Sequence, residues 1–272
     1  KLLYFSITSI IILLIELTSV NAKDTGRIFV SNEKSHEVIV FNKDFDMIKK
    51  IPTSRRPRDM EFNKKRTLLF VACGDDDIID IIDLGKLEVV DGIPTGPSPE
   101  EFSFSIDYKK IYVSNEEDSM LEIIDLESRI TEHDVPTGAE PEGVIASSDG
   151  KKIYVTSEVA DMVHVVNLDT GLVEENIVVG TRPRRFLFNP DETELWVSAE
   201  LSSEIYIIDT LSNQVTDVLE FLPPGFRPED VTPVGMAMTK DGKIAILSLG
   251  RANHIAIINA KTKKTTLVNY LP

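Results

Sequence analysis

The segment KKIYVTSEVADMVHVVNLDTG, residues 151–171, holds two short apolar runs, IYVTS and VHVVN, joined by a polar turn. Runs of five or six residues rich in β-branched and aromatic side chains, bounded by turn formers, read as the two strands of a hairpin. The first run recurs along the chain. Its copies start at Ile28 (IFVSN), Leu69 (LFVAC), Ile111 (IYVSN), Ile153 (IYVTS), Leu195 (LWVSA) and Ile244 (IAILS), at intervals of 41, 42, 42, 42 and 49 residues. Self-similarity at a fixed period signals a repeat architecture.

Each unit follows one grammar. The core phrase leads through a polar turn to a second strand, VIVFN, IDIID, LEIID, VHVVN, IYIID or IAIIN, which ends in Asp or Asn. A third strand runs to Pro52-Thr53, Pro94-Thr95, Pro136-Thr137 or Gly180-Thr181. A fourth, such as EGVIAS or RFLFN, enters a turn that is Asp-Gly at Asp149-Gly150 and Asp241-Gly242. Asp-Gly between apolar runs is a strong hairpin signal.

Four short strands in roughly 40 residues is the arithmetic of a β-propeller blade. Blades pack face to face, so inner strands are buried on both sides, and a core such as DIIDIIDL is almost continuously apolar. The expected fold is all-β, with repeats near residues 24–55, 56–97, 98–139, 140–181, 182–231 and 232–272. The first unit lacks the strand that precedes its core phrase. A ring of seven blades is expected, with about six present here and the last missing at the C-terminus.

Composition narrows the function. The 272 residues are 42% hydrophobic and 27% charged, with a formal net charge of -16. Nucleic acid is excluded as a partner, because binding it needs a positive surface. Residues 1–22 carry Lys1, a long apolar run and Val20-Asn21-Ala22. Small residues at this spacing suit signal peptidase, so a signal peptide cleaved after Ala22 is expected, with periplasmic location and no membrane span afterwards. The single cysteine, Cys73, allows no disulfide framework and reads as a small buried hydrophobe.

The phrases IYVSN and IYVTS resemble the YVTN family of β-propeller repeats. The last unit, GFRPEDVTPVGMAMTKDGKIAILSLGRANHIAIINAKTKK, is similar to the propellers that accompany bacterial PQQ-dependent catabolism. That resemblance implies a seven-bladed periplasmic protein associated with quinoprotein alcohol dehydrogenases, c-type cytochromes and ABC transporter components. It implies a functional association with PQQ enzymes and assigns no bound cofactor to this chain.

Propeller function usually sits where strand-connecting loops meet the central channel. The loops after the third strands carry Arg55, Arg56 and Arg58 in one unit, Glu100 and Glu142 in the next two, and Arg182, Arg184 and Arg185 in a fourth. Units two and five face each other across a seven-fold ring. Their arginines could bind a carboxylate, a phosphate or an acidic patch on a partner. Alternatively they pair with the neighbouring glutamates as solvated ion pairs. The lengthened loop EFLPPGFRPEDVTP carries Arg227 with the aromatics Phe221 and Phe226, which reads as a recognition element or a channel plug.

His36, His133, His164 and His254 share no ligand spacing, so no metal site is expected. His164 occupies the slot of Asp80, Glu122 and Tyr206 in sister units, and Trp196 holds a packing slot. No nucleophile elbow or phosphate loop occurs. The expected function is a binding or scaffold module accessory to PQQ-dependent alcohol oxidation. A lactonase-like hydrolase using the central funnel is the alternative, and a chain that itself holds PQQ or haem d1 is a third reading.

Overall fold

The computed structural model describes residues 26–269, so the segment read as a signal peptide lies outside the described residues. Six antiparallel sheets follow one another. The first has three strands, Arg27–Asn32, Glu37–Asn42 and Met47–Pro52. The other five, over 57–94, 99–136, 141–178, 183–220 and 233–269, are four-stranded meanders. Inner strands of consecutive sheets lie side by side around a central channel, which makes the fold a β-propeller. Among the described residues no helix is long and apolar enough to cross a membrane.

Five apolar clusters fill the five seams between sheets. Strand alternation explains the continuous apolar phrases. Ile111 and Val113 join the seam with the preceding sheet, whereas Tyr112 between them joins the seam with the following one. Outer faces lack such a neighbour. Ile28 and Val30 are 38% and 43% exposed, against 1% and 0% for the equivalent Leu69 and Val71. Ile246 and Ile257 on the last sheet are 43% and 39% exposed, against 0% for Trp196 and Ile207.

Register corrects the sixth unit. Met236 pairs with Leu247 as Phe186 pairs with Val197. The counterpart of Leu195 is therefore Ala245, and the interval is 50, not the 49 expected from Ile244. In an unbroken apolar run a one-residue slip leaves the hydrophobic pattern intact, so only pairing reveals it.

Each four-stranded sheet opens on a proline: Pro57, Pro99, Pro141, Pro183 and Pro233. Proline has no N–H, so it suits the first residue of an inner edge strand. The residue before it is left-handed every time, with φ of 60° at Arg56, 57° at Ser98, 53° at Glu140, 60° at Arg182 and 54° at Thr232. A side chain there strains the backbone. Glu140 is exposed, so Glu140→Gly is expected to stabilise the protein by about 1 kcal/mol, read from denaturant midpoints.

Candidate functional site

The expected site residues divide between two kinds of position. Arg58, Glu100, Glu142, Arg184 and Arg185 lie on the inner strands, just after the proline. Arg55, Arg56 and Arg182 lie on the turns before it. Arg227 lies in the long loop beside a short 3-10 turn, Pro228–Asp230. Thr232-Pro233 occupies the turn that Arg56-Pro57 fills in the second sheet, so the Arg227-Pro228 stretch is an insertion rather than a fifth copy of that turn.

A β-bulge follows each inner-strand proline, with pairing slipped between Pro57 and Met60 and at the same place in the other four sheets. A bulge re-aims side chains, here the successive pairs Arg58-Asp59, Glu100-Glu101 and Arg184-Arg185. Its displaced amides are satisfied by hydroxyls of the second strand. Glu101 N–H donates to Ser114, Gly143 to Thr156, Arg185 to Ser198 and Gly235 to Ser248. The Ser or Thr of the core phrase was the available signal for this bulge. At Gly143 a Cβ would stand 2.1 Å from the Arg184 carbonyl oxygen, so no larger residue fits there.

Ion pairs converge on Glu142. Its Oε1 lies 2.8 Å from Arg58 Nη2, 2.9 Å from Arg184 Nη2 and 2.7 Å from Arg185 Nη1. Arg58 belongs to the second sheet and Arg184 to the fifth, so the pairing spans the channel between the two arginine-bearing sheets. Glu100 accepts from Arg56 at 2.6 Å and also pairs with Arg58. Glu158, absent from the expected set, pairs with Arg184 and accepts from Arg182 at 2.6 Å. Five guanidinium groups (Arg56, Arg58, Arg182, Arg184, Arg185) thus meet eight carboxyl groups. The reading of arginines paired with neighbouring glutamates describes the arrangement, except that these pairs are largely buried. Glu100 and Glu142 are 0% and 2% exposed.

Arg55 and Arg227 stand apart from this cluster. Arg55 pairs with Asp76 and Arg227 with Glu229 and Asp230, all at the surface. Phe221 is fully buried and closes the outer-strand end of the fifth sheet, so it anchors the long loop. Phe226 packs partly on the same core and meets His254 edge-on at 5.9 Å.

Burial and crowding set the charge states. Desolvation, aided by Asp59 and Glu101, pushes the Glu61 carboxyl up to about 8. Desolvation also pushes Glu101 up to about 8, against the pull of Arg185. Glu142 moves the other way, below the usual range, because the three guanidiniums outweigh its burial. Glu61 and Glu101 therefore keep protons in the fold that the unfolded chain releases above the ordinary carboxyl range. The folded state binds more protons between about pH 4.5 and 8, so stability should fall as pH rises through that window. A melting temperature that is flat or rising from pH 5 to 8 would contradict this, and Glu61→Gln should flatten the profile.

In three sheets the shared slot, held by Asp80, Glu122 and His164, supplies an acceptor, whereas Tyr206 in the fifth sheet donates to Glu204. The three acceptor side chains receive the N–H of Ser54 at 2.7 Å, of Gly96 at 2.8 Å and of Gly138 at 3.0 Å. His164 Nε2 accepts, so its proton sits on Nδ1, directed at Asn176 Oδ1 at 2.5 Å, and burial lowers its pKa. Cys73 is buried, with its thiol pushed up by desolvation and by Asp80. Among the described residues no group of three or more His, Cys, Asp or Glu is placed to hold a metal.

No protein-family model matches the chain, and no curated protein does. Solved structures do. Hydrazine synthase from Kuenenia stuttgartiensis matches at 20% identity with a TM-score of 0.77, over 88% of this chain and 74% of the other. A functionally unknown protein from Desulfotomaculum acetoxidans matches at 14% identity and 0.72, over 88% and 78%. A dihydro-heme d1 dehydrogenase in complex with DHE matches at 19% identity and 0.69, over 91% of this chain and 56% of that one. At such identities the likeness concerns the fold alone, and with the sheet order it places this chain among the β-propellers.

Proposed function

We propose that the chain is an exported β-propeller that works in the periplasm as a binding or scaffold module accessory to PQQ-dependent alcohol oxidation. It engages a protein partner, a quinoprotein dehydrogenase, a c-type cytochrome or an ABC transporter component, with the face on which the arginine-bearing turns open. The PQQ-linked and periplasmic parts of this reading rest on the resemblance of the last unit and on the leader at residues 1–22.

One observation carries the choice of face. The inner guanidiniums of Arg58, Arg184 and Arg185 are locked onto Glu142 and are only 11–20% exposed, whereas Arg55 and Arg227 on the rim are 60% and 71% exposed. The inner set makes a rigid polar floor. Rim arginines, held only by surface pairs that contribute little, can exchange their carboxylates for a partner's. Because every inner arginine already has acidic partners, a protein surface with charges of both signs fits this mouth better than a small anion does.

The test is binding of the purified chain to a quinoprotein dehydrogenase and to a c-type cytochrome, by biosensor, over a salt series. Arg55→Ala combined with Arg227→Ala should weaken binding about tenfold or more, with wild-type binding falling at high salt. Undiminished binding by the double variant removes the site assignment. Failure of the wild type to bind any of the named partners removes the function.

A further inference from the structure

On the face opposite the arginine mouth, every seam between sheets is crossed by one turn, and the residue at its left-handed position decides what fills the seam. These residues are Leu87, Arg129, Gly171, Asn213 and Lys263, with φ of 56°, 60°, 66°, 54° and 58°. Leu87 is buried in the first seam's apolar cluster. Arg129 reaches back to Asp91 and the Gly92 carbonyl of the preceding sheet. Asn213 donates to Glu175 at 2.7 Å and accepts from Lys152 at 3.0 Å. Lys263 sets its ammonium 2.6 Å from Glu194 and 4.5 Å from the centre of the Trp196 ring. Two of the four filled seams are therefore occupied by a cation that reaches a carboxylate of the preceding sheet.

Gly171 brings no side chain, His133 of the preceding sheet stands against it, and the seam between the third and fourth sheets holds a groove of about 490 Å³. Tyr112, the counterpart of Trp196, lines it and is 4% exposed. The Trp196 N–H donates to Glu194 in its own seam. The Tyr112 hydroxyl has no hydrogen-bond partner among the described residues. Burial raises its pKa, with the charges of Asp107 and Glu132 adding to the shift. Asp169 also lines the groove, and since Asp107 pairs with Lys109 and Glu132 with Lys110, Asp169 is the lining carboxylate with no ion pair among the described residues. His133 stands where Asp91 and Glu175 stand in the adjacent sheets and bonds the Gly171 carbonyl at 3.2 Å.

We propose that this groove is a binding site for an organic ammonium ion, which rests beside His133, against the open Tyr112 hydroxyl and the Asp169 carboxylate, and supplies the cation that Lys263 and Arg129 supply in their own seams. An aromatic face with nearby carboxylates attracts ammonium groups, and the protein fills one equivalent position in that way, with Lys263 against Trp196 and Glu194. The ammonium could come from a free amine or from a lysine on a partner.

Two-dimensional amide NMR of the chain titrated with butylammonium tests this, with butyrate and 1-butanol as controls and N-acetyl-lysine amide as the lysine arm. Butylammonium should shift the Gly171, Asp169 and Lys110 amides, and the controls should not. N-acetyl-lysine amide binding more tightly than butylammonium assigns the site to a partner's lysine, and the reverse assigns it to a free amine. Tyr112→Phe should weaken binding about fivefold, the loss of one hydrogen bond, while Tyr154→Phe one seam along changes nothing. Gly171→Lys supplies the missing cation in a backbone that Lys263 already tolerates and should abolish binding. It crowds His133, where a Cβ would stand 2.7 Å from Nε2, so Asp169→Asn is a second variant free of that contact and should also weaken binding. Equal shifts with butyrate or butanol, shifts away from these amides, or full affinity in Tyr112→Phe and Asp169→Asn would overturn the proposal.

Discussion

Glu142→Ala is expected to destabilise the fold by about 3–5 kcal/mol, the cost of breaking a buried ion pair by removing one partner. Three guanidinium groups share its Oε1, and the residue is 2% exposed. Removing it leaves Arg58, Arg184 and Arg185 facing one another with their common acceptor gone. Arg58 retains Glu100 and Glu33, and Arg184 retains Glu158, which limits the loss. The melting temperature should drop by about 10 °C for a domain of this size. Arg55→Ala is the control, because its partner Asp76 is a surface group, and its effect should stay within about 0.5 kcal/mol. Near-equal effects of the two substitutions would show that the cluster around Glu142 is not a buried network.

Trp196→Ala should cost about 3–5 kcal/mol as well, through a different mechanism. Trp196 is fully buried in the seam between the fifth and sixth sheets, against Ile205, Ile207, Ala245 and Leu247. Its truncation leaves a cavity the seam cannot close, since the facing residue is Ala245 and interiors are packed near crystal density. It also removes the platform under Lys263 and leaves Glu194 without its indole donor. Added salt should leave both deficits nearly unchanged, since a buried cluster is screened little and the Trp196 seam is apolar. Trp196→Phe keeps most of the volume and should recover at least half of the loss, measured by denaturant midpoint.

Much of the architecture was legible because it is local and periodic. A core phrase recurring every 41 or 42 residues states how many sheets there are and how many strands each needs. Prolines state where inner strands begin, since a residue without an N–H tolerates that edge. The expectation that the arginines of the second and fifth units face one another also follows from period alone, and Arg58 and Arg184 do reach one carboxylate. The role of the slot held by Asp80, Glu122 and His164 was only half legible. The residue types vary, and their common property, accepting one backbone N–H, appears only once the turn is placed against them.

From sequence by itself come the repeat, the strand content and the charge of the loops, because each depends on neighbours within one unit. Which charge meets which was settled by tertiary structure, since Arg58 and Glu142 are 84 residues apart and touch only when the sheets are arranged about a channel. The same holds for the register of the sixth unit, the burial of Phe221, and the seam that Gly171 leaves open. Each of these depends on which side chain a neighbouring sheet presents, and distance along the chain carries no information about that.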